Sequence, residues 1–81
     1  MQVIISNLPP ETTKEMLLEE LQKRHIKIVD LEFEKAGDPN KVSAIVSLDT
    51  GYAGAMALEK RVNGKYWNGR LLKAYTLQDF K

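Results

Sequence analysis

The eight residues from 41 to 48, KVSAIVSL, constrain the fold most strongly, because apolar and polar side chains alternate through them with a single exception at Ile45. Alternation with a period of two predicts a β-strand that has one buried face and one open face. Four aliphatic side chains form the expected buried face: Val42, Ala44, Val46 and Leu48. A sheet that contains such a strand is covered by a second layer on one side, and its other side faces solvent.

The length and composition limit the chain to one small domain. Its 81 residues can build only one hydrophobic core. The absence of cysteine excludes disulfide bonds and thiolate metal sites, so the core has to be held by packing and hydrogen bonds. We expect a single domain over residues 1–81.

Charge and hydropathy narrow the location and the partners. No apolar run approaches the length of a transmembrane helix and no signal-peptide pattern follows Met1, so we expect an intracellular protein with no membrane partner. The net charge is +1, but residues 1–40 carry eight acidic and five basic side chains, whereas residues 41–81 carry three acidic and seven basic ones. This asymmetry predicts two surfaces of opposite charge.

The N-terminal segments predict a strand followed by a helix. Residues 2–6 (QVIIS) are rich in β-branched side chains and lead into two prolines, which end a strand. Thr12 and Glu15 have the spacing of a capping box, and an apolar stripe at helical spacing follows: Met16, Leu17, Leu18 and Leu21. We expect the first helix over residues 13–24.

A second strand, a second helix and a last strand complete the order. Residues 26–35 alternate, and the turn-forming stretch AGDPN joins them to KVSAIVSL. The expected inward residues of this strand are Ile28, Leu31 and Phe33, and the outward ones are Asp30, Glu32 and Glu34. Asp49 or Thr50 is expected to cap the second helix, and Gly64 to end it. Residues 70–76 (RLLKAYT) predict one final strand.

This order of strand, helix, strand, strand, helix and strand indicates an α+β fold, the ferredoxin-like βαββαβ sandwich. In that arrangement a four-stranded antiparallel sheet carries both helices on one face. The other face of the sheet is left open to solvent, and it is the natural place for a binding site.

Four motifs resemble the RNA recognition motif (RRM) family, and the likeness covers nearly the whole chain. VIISNL stands where the family has a hexamer on its first strand, and NLPPETT before a leucine-rich helix is typical of it. KVSAIVSL occupies the position of the family's octamer, and VNGKYWNGRLLKAY resembles its usual ending. The resemblance implies a non-catalytic module that binds single-stranded RNA on the open sheet face.

Members of that family stack RNA bases on aromatic side chains of the hexamer and octamer. The matching positions here are Ile4, Ser43 and Ile45, which have no aromatic ring. The resemblance therefore implies RNA binding of an atypical kind, in which the isoleucines offer apolar contact and the serine offers a hydroxyl group.

Other residues are candidates for the remaining RNA contacts. Tyr75, on the last strand, is a candidate for stacking one base. Phosphates and base edges have their own candidates: Lys41, Arg70 and Lys73 for the phosphates, and Ser6 and Asn7 for the base edges. The alternatives are that Tyr75 covers Ile4 or Ile45 as a cross-strand partner, and that the basic residues form a solvated surface.

The ending also resembles the UHM type, a subclass of this fold in splicing factors that binds peptides. That subclass clamps a tryptophan of a basic peptide between an Arg-x-Phe triplet and an acidic first helix. Lys65, Tyr66 and Trp67 stand in the place of the triplet. Three glutamates lie along the polar side of the predicted helix: Glu15, Glu19 and Glu20. The resemblance implies a protein partner, and the alternative is that Trp67 closes one end of the core.

Catalysis and metal binding have little support. His25 is the only histidine, and no cysteine accompanies it to build a dyad or a metal-ligand set. Asp30, Glu32 and Glu34 alternate on a solvent-facing strand without a phosphate-binding glycine loop. We therefore expect no enzyme activity, no cofactor and no metal. A third possibility, self-association through Ile4 and Ile45, competes with the expectation of a monomer.

Overall fold

The computed structural model describes residues 1–22, 27–35, 37 and 40–77. Eight elements follow one another along the chain: β1 (Gln2–Leu8), α1 (Lys14–Gln22), β2 (Ile28–Glu34), β3 (Val42–Leu48), α2 (Tyr52–Val62), β4 (Tyr66–Trp67), β5 (Arg70–Leu71) and β6 (Lys73–Leu77). Within the described ranges no helix is long and apolar enough to cross a membrane.

The main sheet has four strands in the order β2-β3-β1-β6, and every neighbouring pair is antiparallel. Both helices bury their apolar sides against one face of it. The predicted ferredoxin-like βαββαβ sandwich is therefore confirmed.

The core lies between the helices and the inward side of the sheet. All four residues of the predicted buried face in KVSAIVSL are at most 5% exposed. Leu17 and Leu21 of α1 and Leu58 of α2 pack against them, while Phe33 and Trp67 are partly buried at the margin. Among the described residues no polar or charged side chain is buried in this core, so its stability rests on apolar packing.

Helix α1 and its cap each begin one residue later than predicted. Thr13, and not Thr12, is the capping residue, because its Oγ1 accepts a hydrogen bond of 3.2 Å from the Met16 backbone N–H. Thr12 instead donates its own backbone N–H to Pro9 O at 3.1 Å, which places it in the turn after the two prolines. The predicted Thr12–Glu15 capping box is therefore wrong. Residues 23 and 24 of the predicted helix, and His25, lie outside the described residues.

The cap of helix α2 also differs from the prediction. Gly51 is the N-cap and makes no side-chain hydrogen bond, so neither Asp49 nor Thr50 caps the helix. The Asp49 backbone N–H still donates to Lys27 O at 3.2 Å, at the end of the sheet. The Thr50 side chain instead lies close to the helix at Gly54. A Cβ atom at that position would be 2.5 Å from Thr50 Oγ1. A residue larger than glycine at position 54 would therefore have to displace the Thr50 side chain.

The predicted final strand over residues 70–76 is divided in two. Its first part, β5, pairs with β4 in a small hairpin, and its second part, β6, joins the main sheet. Asn68 (φ 50°) and Gly69 (φ 82°) form the hairpin turn, as an Asn-Gly pair favours. Leu72 separates the two parts: its N–H donates to Lys65 O at 2.9 Å, and its side chain is buried.

Helix α2 covers the outer edge of β6 with two polar side chains. Asn63 Oδ1 accepts a hydrogen bond of 3.2 Å from the Ala74 N–H, and Glu59 Oε1 accepts one of 2.6 Å from the Thr76 N–H. Backbone groups at a sheet edge otherwise offer a template for pairing with another chain. The opposite edge of the sheet is formed by β2.

Candidate functional site

Twelve side chains alternate onto the open face, which is the side of the sheet away from the helices. They are Gln2, Ile4 and Ser6 of β1, Asp30, Glu32 and Glu34 of β2, Ser43, Ile45 and Ser47 of β3, and Lys73, Tyr75 and Leu77 of β6. The open face includes all three positions that match the family's stacking residues. It also brings them beside Tyr75 and Lys73, which lie about 30 residues further along the chain from Ile45.

The central row of the open face runs across all four strands. Ile4 is the partner of Ile45 in β3 and of Tyr75 in β6, and Glu32 is the partner of Ile45 in β2. Ile4 and Ile45 are half-buried, whereas Tyr75 is 53% exposed. Within these four fully described strands, Tyr75 is the only aromatic residue on the open face. The row therefore presents one accessible ring next to two half-buried isoleucines, Ile4 and Ile45, which we call the aliphatic floor.

The row nearer the end of β1 is polar. Ser6 is the partner of Lys73, and Glu34 is the partner of Ser43. Lys41 is exposed directly before β3. This row thus places Lys73, two hydroxyl groups and the Glu34 carboxylate beside Ile4 and Ile45, and Lys41 lies two residues before Ser43.

An irregularity in β1 shapes the same end of the sheet. The pairing with β3 shifts between Ile5 and Leu8, and Asn7 adopts a left-handed conformation (φ 68°), which asparagine tolerates better than most residues. Its Nδ2 donates a hydrogen bond of 2.9 Å to Leu71 O. Asn7 therefore ties β1 to the β4–β5 hairpin, and its predicted contact with a base edge stays a prediction.

Arg70 fastens the hairpin to the loop before β3. Its Nη1 donates a hydrogen bond of 2.6 Å to Asn40 O, and the side chain is half-buried. A guanidinium has five N–H donors, so this bond leaves others for a ligand. Together with Lys41 and Lys73, Arg70 lies at the end of the sheet where β1 stops and β3 and β6 begin. The nine residues predicted to contact RNA thus share the open face and this one end.

The third row was not anticipated from the sequence. Gln2 donates from Nε2 to Ser47 Oγ at 3.4 Å, and it is also the partner of Leu77, which is 38% exposed. The alternation in QVIIS places Gln2 on the face of Ile4, but its partners depend on the strand register. This row adds polar and apolar contact surface beyond the central one.

Charge is distributed unevenly over the open face. Asp30, Glu32 and Glu34 are exposed along β2, and neither ion pair found in the described ranges includes them. Lys73 lies on the strand at the opposite edge. The face is therefore acidic along β2, neutral over β3 and β1, and basic at the start of β6.

The residues predicted for peptide binding are dispersed. Lys65 forms an ion pair with Glu20, whose side chain is 17% exposed. Trp67 packs against the core. Glu15 and Glu19 are exposed and line a shallow depression on α1.

A small apolar hollow lies between α1 and α2, with the Lys65–Glu20 pair beside it. Its volume is about 10 Å³, and its lining is Leu17, Glu20, Leu21, Arg61, Val62, Lys65 and Leu72. A space of this size holds about one water molecule. An indole ring does not fit this hollow unless the ion pair opens.

A metal site is not formed in the described part of the chain, where no three His, Cys, Asp or Glu side chains gather as a ligand set. The carboxylates of β2 follow one another along a single strand.

RRM domains have a four-stranded sheet of this order with two helices behind it and an open face in front, and the chain has the RRM fold. No protein-family model matches the sequence, and no curated protein matches it. Solved structures do.

The third RRM of Pes4 superimposes with a TM-score of 0.82 at 24% identity, over 99% of this chain and 94% of that one. The third RRM of Mip6 gives 0.79 at 16% identity, over 91% of this chain and 88% of that one. The RRM of Rna15, solved with bound RNA (GU), gives 0.76 at 15% identity, over 96% and 83%. At these identities the likeness establishes the fold.

Proposed function

We propose that this domain is a non-catalytic module that binds single-stranded RNA through its open face. The observation that carries the proposal is the central row, in which the exposed ring of Tyr75 adjoins the aliphatic floor of Ile4 and Ile45. An exposed ring on a flat sheet stacks an unpaired base, whereas the bases of a duplex are already stacked on one another.

The cations at the end of the sheet supply the phosphate contacts. Lys41 and Lys73 are exposed, and Arg70 is held in place by Asn40 O. Phosphate contacts position the strand without reading its sequence, and Ser6, Ser43 and Asn7 are the groups that reach base edges. The bound RNA at the Rna15 domain supports this use of the fold.

The affinity is expected to be low, because one ring replaces the several that a sheet of this class can carry. A single stacked base contributes about 1–3 kcal/mol. Together with the phosphate contacts, a dissociation constant on the order of 1 mM, about −4 kcal/mol, is expected at moderate salt. Low ionic strength strengthens the binding through the phosphate contacts.

Amide chemical shifts during a titration with a mixed-sequence RNA hexamer test the proposal directly. Amides of β1, β3 and β6 are expected to shift at low salt, and those of α1 to stay still. The same hexamer in a duplex is the control and is expected to cause much smaller shifts. Unchanged amides on the sheet at millimolar RNA would overturn the proposal. Sedimentation of the free domain separates it from self-association through Ile4 and Ile45, since a monomer is expected at all concentrations.

Peptide binding is the second candidate function, and the exposed carboxylates of Glu15 and Glu19 on α1 favour it. The apolar hollow between the helices is lined by Leu17, Leu21, Val62 and Leu72. A tryptophan anchor enters only if Lys65 releases Glu20, and Glu15 and Glu19 on the outer side of α1 would attract a basic peptide.

Fluorescence of Trp67 distinguishes the two candidates. Peptide binding at the hollow predicts an emission change when a basic peptide is added, if the apolar anchor of that peptide is phenylalanine or cyclohexylalanine, which do not interfere with tryptophan emission. RNA binding alone predicts blue-shifted emission that the peptide leaves unchanged, because Trp67 packs on the core.

A further inference from the structure

We propose that the carboxylates of β2 keep RNA off that strand, so that the domain holds only about two or three nucleotides over β1, β3 and β6. This inference rests on the proposed function and specifies its footprint. A four-stranded sheet offers room for more nucleotides than this. The negative charge along the edge strand β2 limits the length of RNA that the open face can hold.

Geometry places three carboxylates where a longer RNA would run. Asp30, Glu32 and Glu34 are the partners of Ser47, Ile45 and Ser43, one in each row of the open face. Each is exposed. In each of the three rows, a phosphate group over β2 therefore lies close to a carboxylate. This holds for either direction in which the RNA crosses the sheet.

The range of this repulsion separates β2 from β6. Neighbouring strands are about 4.8 Å apart, so Glu32 lies about 5 Å from Ile45 and about 14 Å from Tyr75 along the central row. The screening length is about 10 Å at 0.1 M salt. Repulsion is therefore strongest on phosphates over β2, weaker over β3, and largely screened at Tyr75 and Lys73.

The two edges of the sheet differ in charge and in how their backbone groups are covered. At β6, the side chains of Asn63 and Glu59 cover the outer backbone groups, while the open face carries Lys73 and Tyr75. At β2, the open face carries carboxylates only. Charges on an edge strand also discourage pairing with another chain, and this competing role predicts association when they are removed.

Removing the three charges tests the proposal. The triple variant Asp30→Asn, Glu32→Gln, Glu34→Gln keeps side-chain size and polarity. The matched control is Glu11→Gln, Glu15→Gln, Glu19→Gln, which changes the net charge equally at three exposed residues on or before α1. Circular dichroism and sedimentation establish that each protein is folded and monomeric before RNA is added.

The measurement is affinity for single-stranded RNAs of two, three, four and six nucleotides, with amide shifts for each. We expect wild-type affinity to level off at about three nucleotides, with the amides of β2 unmoved. In the triple variant we expect affinity to keep rising, to about tenfold above wild type for the hexamer and less than twofold for the dinucleotide. The control is expected to stay within about twofold of wild type at every length.

The outcomes separate the inference from the function on which it rests. If wild-type β2 amides shift with the hexamer, or if the triple variant and the control behave alike, the domain binds RNA but the inference fails. Association of the triple variant without a change in RNA affinity assigns the carboxylates to edge protection and also overturns it. If no protein in the set binds RNA at low salt, the proposed function fails and the inference with it.

Discussion

Ile4 lies between Tyr75 and Ile45, as the direct cross-strand partner of both. Directly opposite side chains on one sheet face are about 4.5–5.5 Å apart at Cβ, so the ring of Tyr75 lies against Ile4 and is separated from Ile45 by a whole strand. Tyr75 nevertheless stays 53% exposed. Its pairing with Ile4 and its exposure are compatible with both interpretations of Tyr75, stacking of a base and packing on a cross-strand partner.

Replacing Tyr75 by alanine is expected to weaken RNA binding about 5- to 150-fold, because a base stack of about 1–3 kcal/mol is lost. Tyr75→Phe keeps the ring and is expected to stay within about twofold of wild type. Tyr66→Ala is the matched control, since Tyr66 is 74% exposed on the β4–β5 hairpin and outside the open face. Fluorescence anisotropy with a labelled hexamer measures all three. Equal losses in Tyr75→Ala and Tyr66→Ala would exclude a stacking role for Tyr75.

Adding a ring to the central row is expected to strengthen binding. Ile45→Phe places an aromatic side chain where the RRM octamer usually has one, with room on the open face because Ile45 is only half-buried. A second stacked base adds about 1 kcal/mol or more, so at least a fivefold gain is expected in the same assay. Leu71→Phe is the control, because Leu71 is 40% exposed on the β4–β5 hairpin and lies outside the main sheet. A gain in both variants would indicate nonspecific binding of RNA to any exposed aromatic ring.

The sequence predicts which face of the sheet each strand residue is on, but it does not predict which residues pair across strands or where the elements end. Alternation in KVSAIVSL separates Val46 from Ile45 without any knowledge of the partner strands, because each strand reports its own two faces. The pairing of Gln2 with Ser47 and Leu77 requires the register, which depends on all strands together. The RNA candidates that alternate along β1, β3 and β6 could therefore be assigned to one face, while their order across it came from the structure.

Local competition explains the errors at the element ends. Thr12 and Thr13 are both good caps, and the turn closed by Pro9 O selects the second. The alternation of RLLKAYT is real, but the Asn68–Gly69 turn directs its first residues to β4. The ion pair between Lys65 and Glu20 joins residues 45 apart in sequence, and no spacing rule indicates such a pair.

The hairpin turn gives a prediction about stability. Gly69 has φ of 82°, a conformation that costs a residue with a Cβ about 1–2 kcal/mol. Gly69→Ala is expected to lower the free energy of unfolding in urea by about that amount. Gly69→Asn is the matched variant and is expected to lose clearly less, because asparagine tolerates the left-handed region. Equal stability of Gly69→Ala and wild type would contradict this reading of the turn.

The bond between Glu59 and Thr76 predicts how α2 protects the edge of the sheet. Glu59→Ala is expected to lower the free energy of unfolding by about 1–2 kcal/mol, since a hydrogen bond to a charged acceptor is lost from a partly buried site. Glu59→Gln keeps an acceptor oxygen and is expected to lose less than half as much. Lys60→Ala, at the next and exposed position of the same helix, corrects for helix propensity.

Hydrogen exchange gives this last prediction a local signature. In Glu59→Ala the Thr76 amide is expected to exchange faster than in wild type by more than the change in global stability explains, because it loses its acceptor. The Ala74 amide, bound to Asn63, is expected to follow only the global change. If the two amides accelerate equally, Glu59 stabilises the domain as a whole. If Glu59 and Asn63 instead protect the edge separately, the Thr76 amide must accelerate more than the Ala74 amide.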